Sequence, residues 1–352
     1  MDKIGINVNG RDYQVDPGQT VLSACTSLGI EIPSLCWHPR TKVYGGCRLC
    51  VVEIEGMRGL PISCGTDVRD GMVVRTDTAE VERVRRIVIE LLIASGEHNC
   101  MVCEKNGLCS VQKLAYKYGI DQPRFQLKGE PVPIDEDNPF IIRNYNKCVL
   151  CGRCLRVCNE VVGQGAINFI NRGFKAKVAT CGDTALSESV CGMCGSCVQA
   201  CPTGALAYKK ARFQGRPAEM EKVVTTCPYC GAGCQLVLNV KDGRVVYVEG
   251  AEDVGPNYGT TCLKGRFGFD YIYSPDRLRK PLVRRGQDFV EASWDEALDL
   301  VASRLREIKD QHGPDAIMVA SSAKATNEEN YAAMKFTRAV LRTNNIDHCA
   351  RL

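Results

Sequence analysis

Cys148-Val149-Leu150-Cys151-Gly152-Arg153-Cys154-Leu155-Arg156-Val157-Cys158 decides the reading of this chain. Its cysteine spacing, C-x2-C-x2-C-x3-C, returns 43 residues later in Cys191-Gly192-Met193-Cys194-Gly195-Ser196-Cys197-Val198-Gln199-Ala200-Cys201-Pro202. The 352 residues hold 22 cysteines and only 4 histidines. A reducing compartment does not keep that many thiols as disulfides, so most need another partner. The histidines are too few for a general zinc-finger reading. A hydrophobic share of 45% supports several domains with cores and excludes disorder, collagen and low complexity. The 45 basic and 41 acidic residues leave +4, with no basic stripe, so nucleic acid is excluded as a partner. No apolar run approaches a membrane span. Met1-Asp2-Lys3-Ile4-Gly5 has neither an apolar signal core nor twin arginines, so the expected location is cytoplasmic.

The repeat resembles the two-cluster bacterial ferredoxins. That resemblance implies a domain over 138–210 in which three close cysteines hold one four-iron cube and the fourth crosses to the other. One cube would use Cys148, Cys151, Cys154 and Cys201. The other would use Cys191, Cys194, Cys197 and Cys158. Asn159 stands where many ferredoxins have proline. Four-ligand zinc sites rarely repeat in this form.

Toward the N-terminus, Ile4, Ile6 and Val8 alternate before Asn9-Gly10, and Arg11-Asp12-Tyr13-Gln14-Val15 follows, which predicts a hairpin. Thr20 can cap a helix from Val21 to Leu28, ended by Gly29. Cys36, Cys47, Cys50 and Cys64 then read C-x10-C-x2-C-x13-C, with Gly45-Gly46 allowing close backbone approach to sulfide. Plant ferredoxins have x4 where this chain has x10. The spacing resembles the [2Fe-2S] domain of the large iron-sulfur subunit of respiratory complex I and of iron hydrogenases, here residues 1–77. A four-cysteine zinc site is the alternative, and the hairpin and helix favour the ferredoxin-like β-grasp.

Asp77-Thr78-Ala79-Glu80 reads as a capping box opening a helix with Val81, Val84, Val88, Leu91 and Leu92 on one face. Cys100, Cys103 and Cys109 follow as C-x2-C-x5-C. The same complex I and hydrogenase resemblance implies a [4Fe-4S] cluster in residues 78–120, held by these cysteines and a histidine usually four residues before the first. Gly96 occupies that place. His98 is the expected fourth ligand, and a solvated loop histidine is the alternative.

Toward the C-terminus, Cys227, Cys230 and Cys234 read C-x2-C-x3-C, and Cys262 closes the group, followed by Leu263-Lys264-Gly265-Arg266. Residues 236–240 and 245–248 read as strands around Asp242-Gly243. This resembles the [4Fe-4S] domain of molybdenum/tungsten bis-pterin oxidoreductases, here 220–276. In that family the lysine at the position of Lys264 lies between cluster and pterin and helps the electron pass. A salt-bridged surface lysine is the alternative.

Residues 277–352 read as the start of an α/β domain, with a helix from Trp294 to Lys309, a buried strand from Ala316 to Ala320 and a helix from Asn327 to Leu341. The stretches 321–331 and 343–352 resemble the large α subunit of cytoplasmic formate dehydrogenases. That resemblance implies formate oxidation or CO2 reduction at a molybdenum or tungsten bis-molybdopterin guanine dinucleotide. In that family the Cys-Ala-Arg-Leu segment is followed at once by a metal-binding selenocysteine or cysteine and a histidine. No catalytic residue is therefore expected up to Leu352, and the gene is expected to continue through a UGA codon.

The expected fold is an α+β multidomain chain: ferredoxin-like β-grasp, helical cluster domain, two-cluster ferredoxin, small β-rich [4Fe-4S] domain and the start of a molybdopterin domain. The expected cofactors are one [2Fe-2S] and four [4Fe-4S] clusters. Cys25 is expected to pack in a core, Cys181 to be a buried loop thiol, and Cys349 to pack. No G-x-G-x-x-G or P-loop occurs, so NAD or flavin is expected on a partner. That partner would be a diaphorase-type subunit, a hydrogenase subunit or a ferredoxin. The alternative function is a stand-alone electron relay of a complex I-like or hydrogenase complex.

Overall fold

The computed structural model describes residues 2–125 and 131–349. It is a mixed α and β chain that divides into two units, residues 1–222 with 239–247, and residues 223–238 with 248–352.

The first unit opens with the expected hairpin. Strands Ile4–Val8 and Arg11–Val15 pair antiparallel from Ile4 opposite Val15 to Val8 opposite Arg11. Asn9 and Gly10 turn between them at φ 52° and 81°, the left-handed pair that a two-residue hairpin loop requires. Met72–Arg75 adds parallel to the first strand, and Glu53–Ile54 completes a four-stranded sheet. Helix Val21–Ser27 is capped by Thr20, whose hydroxyl accepts from the Ser23 amide at 3.2 Å. Val21, Leu22, Ala24 and Cys25 bury against Ile6, Val8 and Val74, so Cys25 packs as expected.

Helix Ala79–Ala94 follows, and its start differs from the sequence reading. Thr78 alone is the cap, its hydroxyl accepting from Val81 at 3.4 Å, and Val81 at the third helical position has no oxygen to return the bond. The buried face also takes two charged residues. Arg85 donates to the carbonyls of Leu49 and Val51 at 3.2 and 2.8 Å, and Glu90 pairs with Arg124 at 2.6 Å. Helix Ser110–Lys117 packs nearby through Val111 and Leu114. In the ferredoxin-like part, strand Ile141–Arg143 pairs with Leu206–Tyr208, and Asn168–Ile170 with Lys177–Ala179.

A three-stranded sheet of Glu221–Thr226, Gln235–Lys241 and Arg244–Gly250 turns at Asp242-Gly243 as expected. Helix Trp294–His312 is capped by Ser293, which accepts from Glu296 at 3.1 Å, and runs three residues beyond the expected end, to Gly313. The next strand is shorter than expected, Val319–Ser321, because Pro314–Ala316 forms a 3-10 turn instead, and it is only partly buried. It pairs parallel with Ile346–His348 across helix Asn327–Phe336, which continues as a π turn over Thr337–Leu341. Ala350, Arg351 and Leu352 of the C-terminal motif lie outside the described residues. Among the described residues no helix is long and apolar enough to cross a membrane.

Candidate iron-sulfur centres

Cys36, Cys47, Cys50 and Cys64 are all buried beside the β-grasp core. The Cys36 thiol hydrogen-bonds to Cys47, which, with the Leu49 and Leu35 amides, pulls Cys47 down to about 5 despite its burial. Cys64 does the same for Cys50, holding it at about 7. The donating thiols Cys36 and Cys64 are pushed up by the same bonds and by burial. Each pair thus favours one thiolate beside one thiol, and thiolate is the form that binds metal. The Gly46 amide faces the Cys36 sulfur, and Leu35 donates to the Cys47 sulfur at 3.4 Å. A β-carbon would meet the Ile62 tip at 2.7 Å from Gly45, which also sits at φ 66°, and the Tyr44 ring at 2.3 Å from Gly46.

Cys100 and Cys103 border the 3-10 turn Cys100–Val102, and Cys109 precedes the helix Ser110–Lys117. Burial pushes the Cys109 thiol up, and Cys103 and Cys100 add to the shift, so the three sulfurs share one locality. The His98 ring engages the carbonyls of Leu92 and Ile93, while burial lowers its pKa and keeps it neutral. Its Nε2 is buried and has no hydrogen-bond partner. Such an orphan is a costly arrangement unless a ligand completes it. Gly96, where related domains have their histidine, could not carry a side chain, since its β-carbon would stand 2.3 Å from the Asn146 carbonyl, which accepts from Glu97 at 2.8 Å. That same β-carbon position is 3.7 Å from His98 Nε2, so the imidazole folds back beside position 96.

The repeat is also a repeat of backbone. Leu150 and Met193 both have φ 50°, and Gly152 and Gly195, at φ 69° and 72°, stand immediately before the short helices Arg153–Arg156 and Ser196–Ala200. These left-handed residues turn amides toward sulfur, as in the Met193 amide to Cys191 Sγ at 3.4 Å. Cys148, Cys151, Cys154, Cys197 and Cys201 line one cavity of about 40 Å3. Cys151 is pushed up to about 12 by burial first, then by Cys201 and Cys148. Burial likewise raises Cys197, with Cys194, Cys191 and Cys158 adding. The fourth cysteine of each repeat therefore sits with the first three of the other. Bare thiolates are unfavourable there, and a bound cationic centre would offset that cost. Among the described residues no three His, Cys, Asp or Glu side chains converge on one ion; the thiols of this repeat surround a volume.

In the second unit, burial raises Cys227, with Cys234, Cys262 and Cys230 adding in that order, so the four thiols lie near one another. Cys262 immediately precedes the helix Leu263–Phe267. Gly265 backs onto the group, its β-carbon position 3.3 Å from Cys227 Sγ. Lys264, one residue earlier, is exposed. Arg266 is buried and donates to Gly259 O at 3.2 Å, fixing the segment. Cys181 and Cys349 are both exposed, contrary to the burial and packing expected for them. Cys181 lies on a short turn with Gly182 at φ 70°, and Cys349 pairs with Ser322 at 3.5 Å.

These sites define a multi-centre iron-sulfur chain leading into a molybdopterin domain. Family models match in that order: a 2Fe-2S iron-sulfur cluster binding domain over 1–79, the NADH-ubiquinone oxidoreductase-G iron-sulfur binding region over 85–124, the ferredoxin-like domain of NADH-quinone oxidoreductase subunit 3 over 138–207, the molybdopterin oxidoreductase Fe4S4 domain over 220–274 and molybdopterin oxidoreductase over 277–352. The chain carries domains of the NADH-quinone oxidoreductase G and molybdopterin oxidoreductase families. It is 38% identical over 349 residues to the NADPH-Fe(3+) oxidoreductase subunit alpha of Geobacter sulfurreducens, covering 99% of this chain and 40% of that one. It is 37% identical to a G-type NADH-quinone oxidoreductase protein of Rhizobium meliloti, with shares of 99% and 40%. A Staphylococcus aureus protein named "Putative formate dehydrogenase" is 31% identical, with shares of 100% and 39%. The chain thus spans about 40% of the length of these relatives. A chain of the crystal structure of NAD+-reducing [NiFe]-hydrogenase in the H2-reduced state superposes with a TM-score of 0.53 at 34% identity, covering 61% of this chain and 91% of that one.

Proposed function

We propose that this chain is the iron-sulfur portion of a formate dehydrogenase or CO2 reductase α subunit, carrying electrons between a molybdenum or tungsten pterin site and a partner. The observation that carries the electron-transfer reading is the cavity lined by Cys148, Cys151, Cys154 and Cys201, which draws its fourth thiol from the second repeat. In this reading the twenty named ligands, from Cys36 to Cys262 and including His98, hold one [2Fe-2S] and four [4Fe-4S] centres. The centres supply one-electron redox chemistry when bound. The chain's own residues bury them, donate amides to sulfur and set their spacing. Lys264, on the helix beside the Cys227 group, would stand at the electron exit from the pterin. The substrate assignment rests on the similarity to formate dehydrogenases, and nicotinamide or flavin would bind on the partner.

A second reading has its own support. The likeness to the hydrogenase chain, 91% of which is covered, favours a relay within a complex I-like or hydrogenase assembly. The test is anaerobic purification of the full-length gene product with its partners, followed by iron analysis and EPR after adding formate, NAD(P)H or H2 separately. About 18 irons per chain, with one two-iron and four four-iron signals, are expected. Reduction by formate supports the dehydrogenase. Reduction by NAD(P)H or H2 but never by formate, in a complex holding molybdenum or tungsten, would reject it. Stoichiometric zinc with little iron would reject both.

A further inference from the structure

Arg156 lies between Cys154 and Cys158 and is only 6% exposed. Its Nη1 donates to Thr41 Oγ1 at 2.6 Å and to the Lys42 carbonyl at 2.5 Å, and its Nη2 donates to the Cys36 carbonyl. Thr41 and Lys42 belong to the ten residues between Cys36 and Cys47, the loop that distinguishes this spacing from plant ferredoxins. Two further contacts hold the same loop to the ferredoxin-like part. Glu160 Oε2 accepts from the Lys42 amide at 2.7 Å. The Tyr44 ring lies 5.4 Å from the Arg156 guanidinium. It stands between a glycine before Cys47 and a glycine after Cys151: β-carbons there would meet it at 2.3 Å from Gly46 and 3.5 Å from Gly152.

These three acceptors are neutral oxygens, and Arg156 Nε has no partner. A guanidinium this buried, bonded here to neutral oxygens alone, needs negative charge close by. Thiolate-ligated centres supply it on both sides, one through Cys36 and the others through Cys154 and Cys158. We propose that Arg156 is a positioning and tuning residue shared by the Cys36 centre and the ferredoxin-like centres. It ties the ten-residue loop to the helix of the first repeat, and its charge raises the potentials of the centres it separates. This rests on the iron-sulfur reading above. The sign follows from charge: reduction makes each centre more negative, and a nearby fixed cation favours that form.

The experiment is an EPR-monitored redox titration of the purified complex carrying Arg156→Met or Arg156→Lys. In the Met variant, the two-iron centre and at least one ferredoxin-like centre should each lose about tenfold in reduction equilibrium constant, about 59 mV for one electron. The Cys227 centre should not move. The Lys variant keeps the charge, so its potentials should stay within about threefold of the parent, while faster hydrogen exchange over residues 37–46 reports the lost fork. Unchanged potentials in the Met variant overturn the proposal, as does a shift confined to one centre. If the Met variant fails to assemble the two-iron centre, the Lys variant decides: assembly at parental potentials sustains the proposal, and loss in both overturns it. A parent protein without iron signals would instead remove the iron-sulfur reading itself.

Discussion

A β-carbon on Gly204 would stand 2.6 Å from the sulfur of Cys103, with the Lys147 side chain next nearest at 3.2 Å. Gly204 follows Cys201 by three residues, so sequence alone would attach it to the ferredoxin-like repeat. The fold gives it instead to the Cys100, Cys103 and Cys109 group. Gly204→Ala should therefore disturb that centre while sparing the one that includes Cys201. Overpacking of this kind costs about 1–3 kcal/mol. EPR would show the altered signal, and a change restricted to the ferredoxin-like centres would contradict the placement.

His98→Ala should alter or abolish the same signal and leave the others. The buried, unpartnered Nε2 motivates this, together with its approach to position 96. The two substitutions make a paired test, because Gly204 and His98 are distant in sequence. If His98→Ala leaves every signal unchanged, another residue completes the centre.

What the sequence shows clearly is what short-range chemistry dictates. Asn9-Gly10 and Asp242-Gly243 need left-handed backbone, and both turn hairpins. Thr20 offers a hydroxyl to an open helix end and caps it. The cysteine spacing places the groups because ligands must share small volumes. The expectations about burial fail where distant segments decide. Nothing in the local sequence marks Arg85, Glu90 or Arg156 for burial, yet each is buried because an acceptor or ion partner arrives from another segment. Cys181 reads as a buried loop thiol because cysteine usually buries, but it sits on an exposed turn. His98 is legible only as a candidate, since its burial and its position beside Gly96 are set by the folded chain around it.

Under the function proposed above, Lys264→Ala in the assembled complex should slow reduction of the iron-sulfur centres by formate while iron, molybdenum or tungsten content stays constant. The lysine is exposed on the helix that backs onto Cys227, with Gly265 forming the inner face. A tenfold slowing corresponds to about 1.4 kcal/mol in the barrier. Stopped-flow absorbance measures it, and unaltered kinetics would leave Lys264 a surface charge.

Three cysteines lie outside the proposed ligand sets, and their surroundings predict different reactivities toward an alkylating reagent. Cys25 is fully buried in the β-grasp core, and burial raises its thiol to about 11. It has neither access nor thiolate at neutral pH, so it should resist labelling until the domain unfolds. Cys181 and Cys349 are exposed and should label in the folded 352-residue chain. Cys349 should react faster of the two, because a hydrogen bond from Ser322 and the Ala323 amide lower its pKa. The thiolate is the attacking form, and a lowered pKa enlarges its fraction at pH 7. Iodoacetamide labelling of the anaerobic, iron-loaded chain, read by peptide mass spectrometry, measures all three rates together. Early labelling of Cys25 would mean that the β-grasp core opens in the folded chain, and equal rates for Cys181 and Cys349 at pH 7 would remove the Ser322 contact from the solution structure.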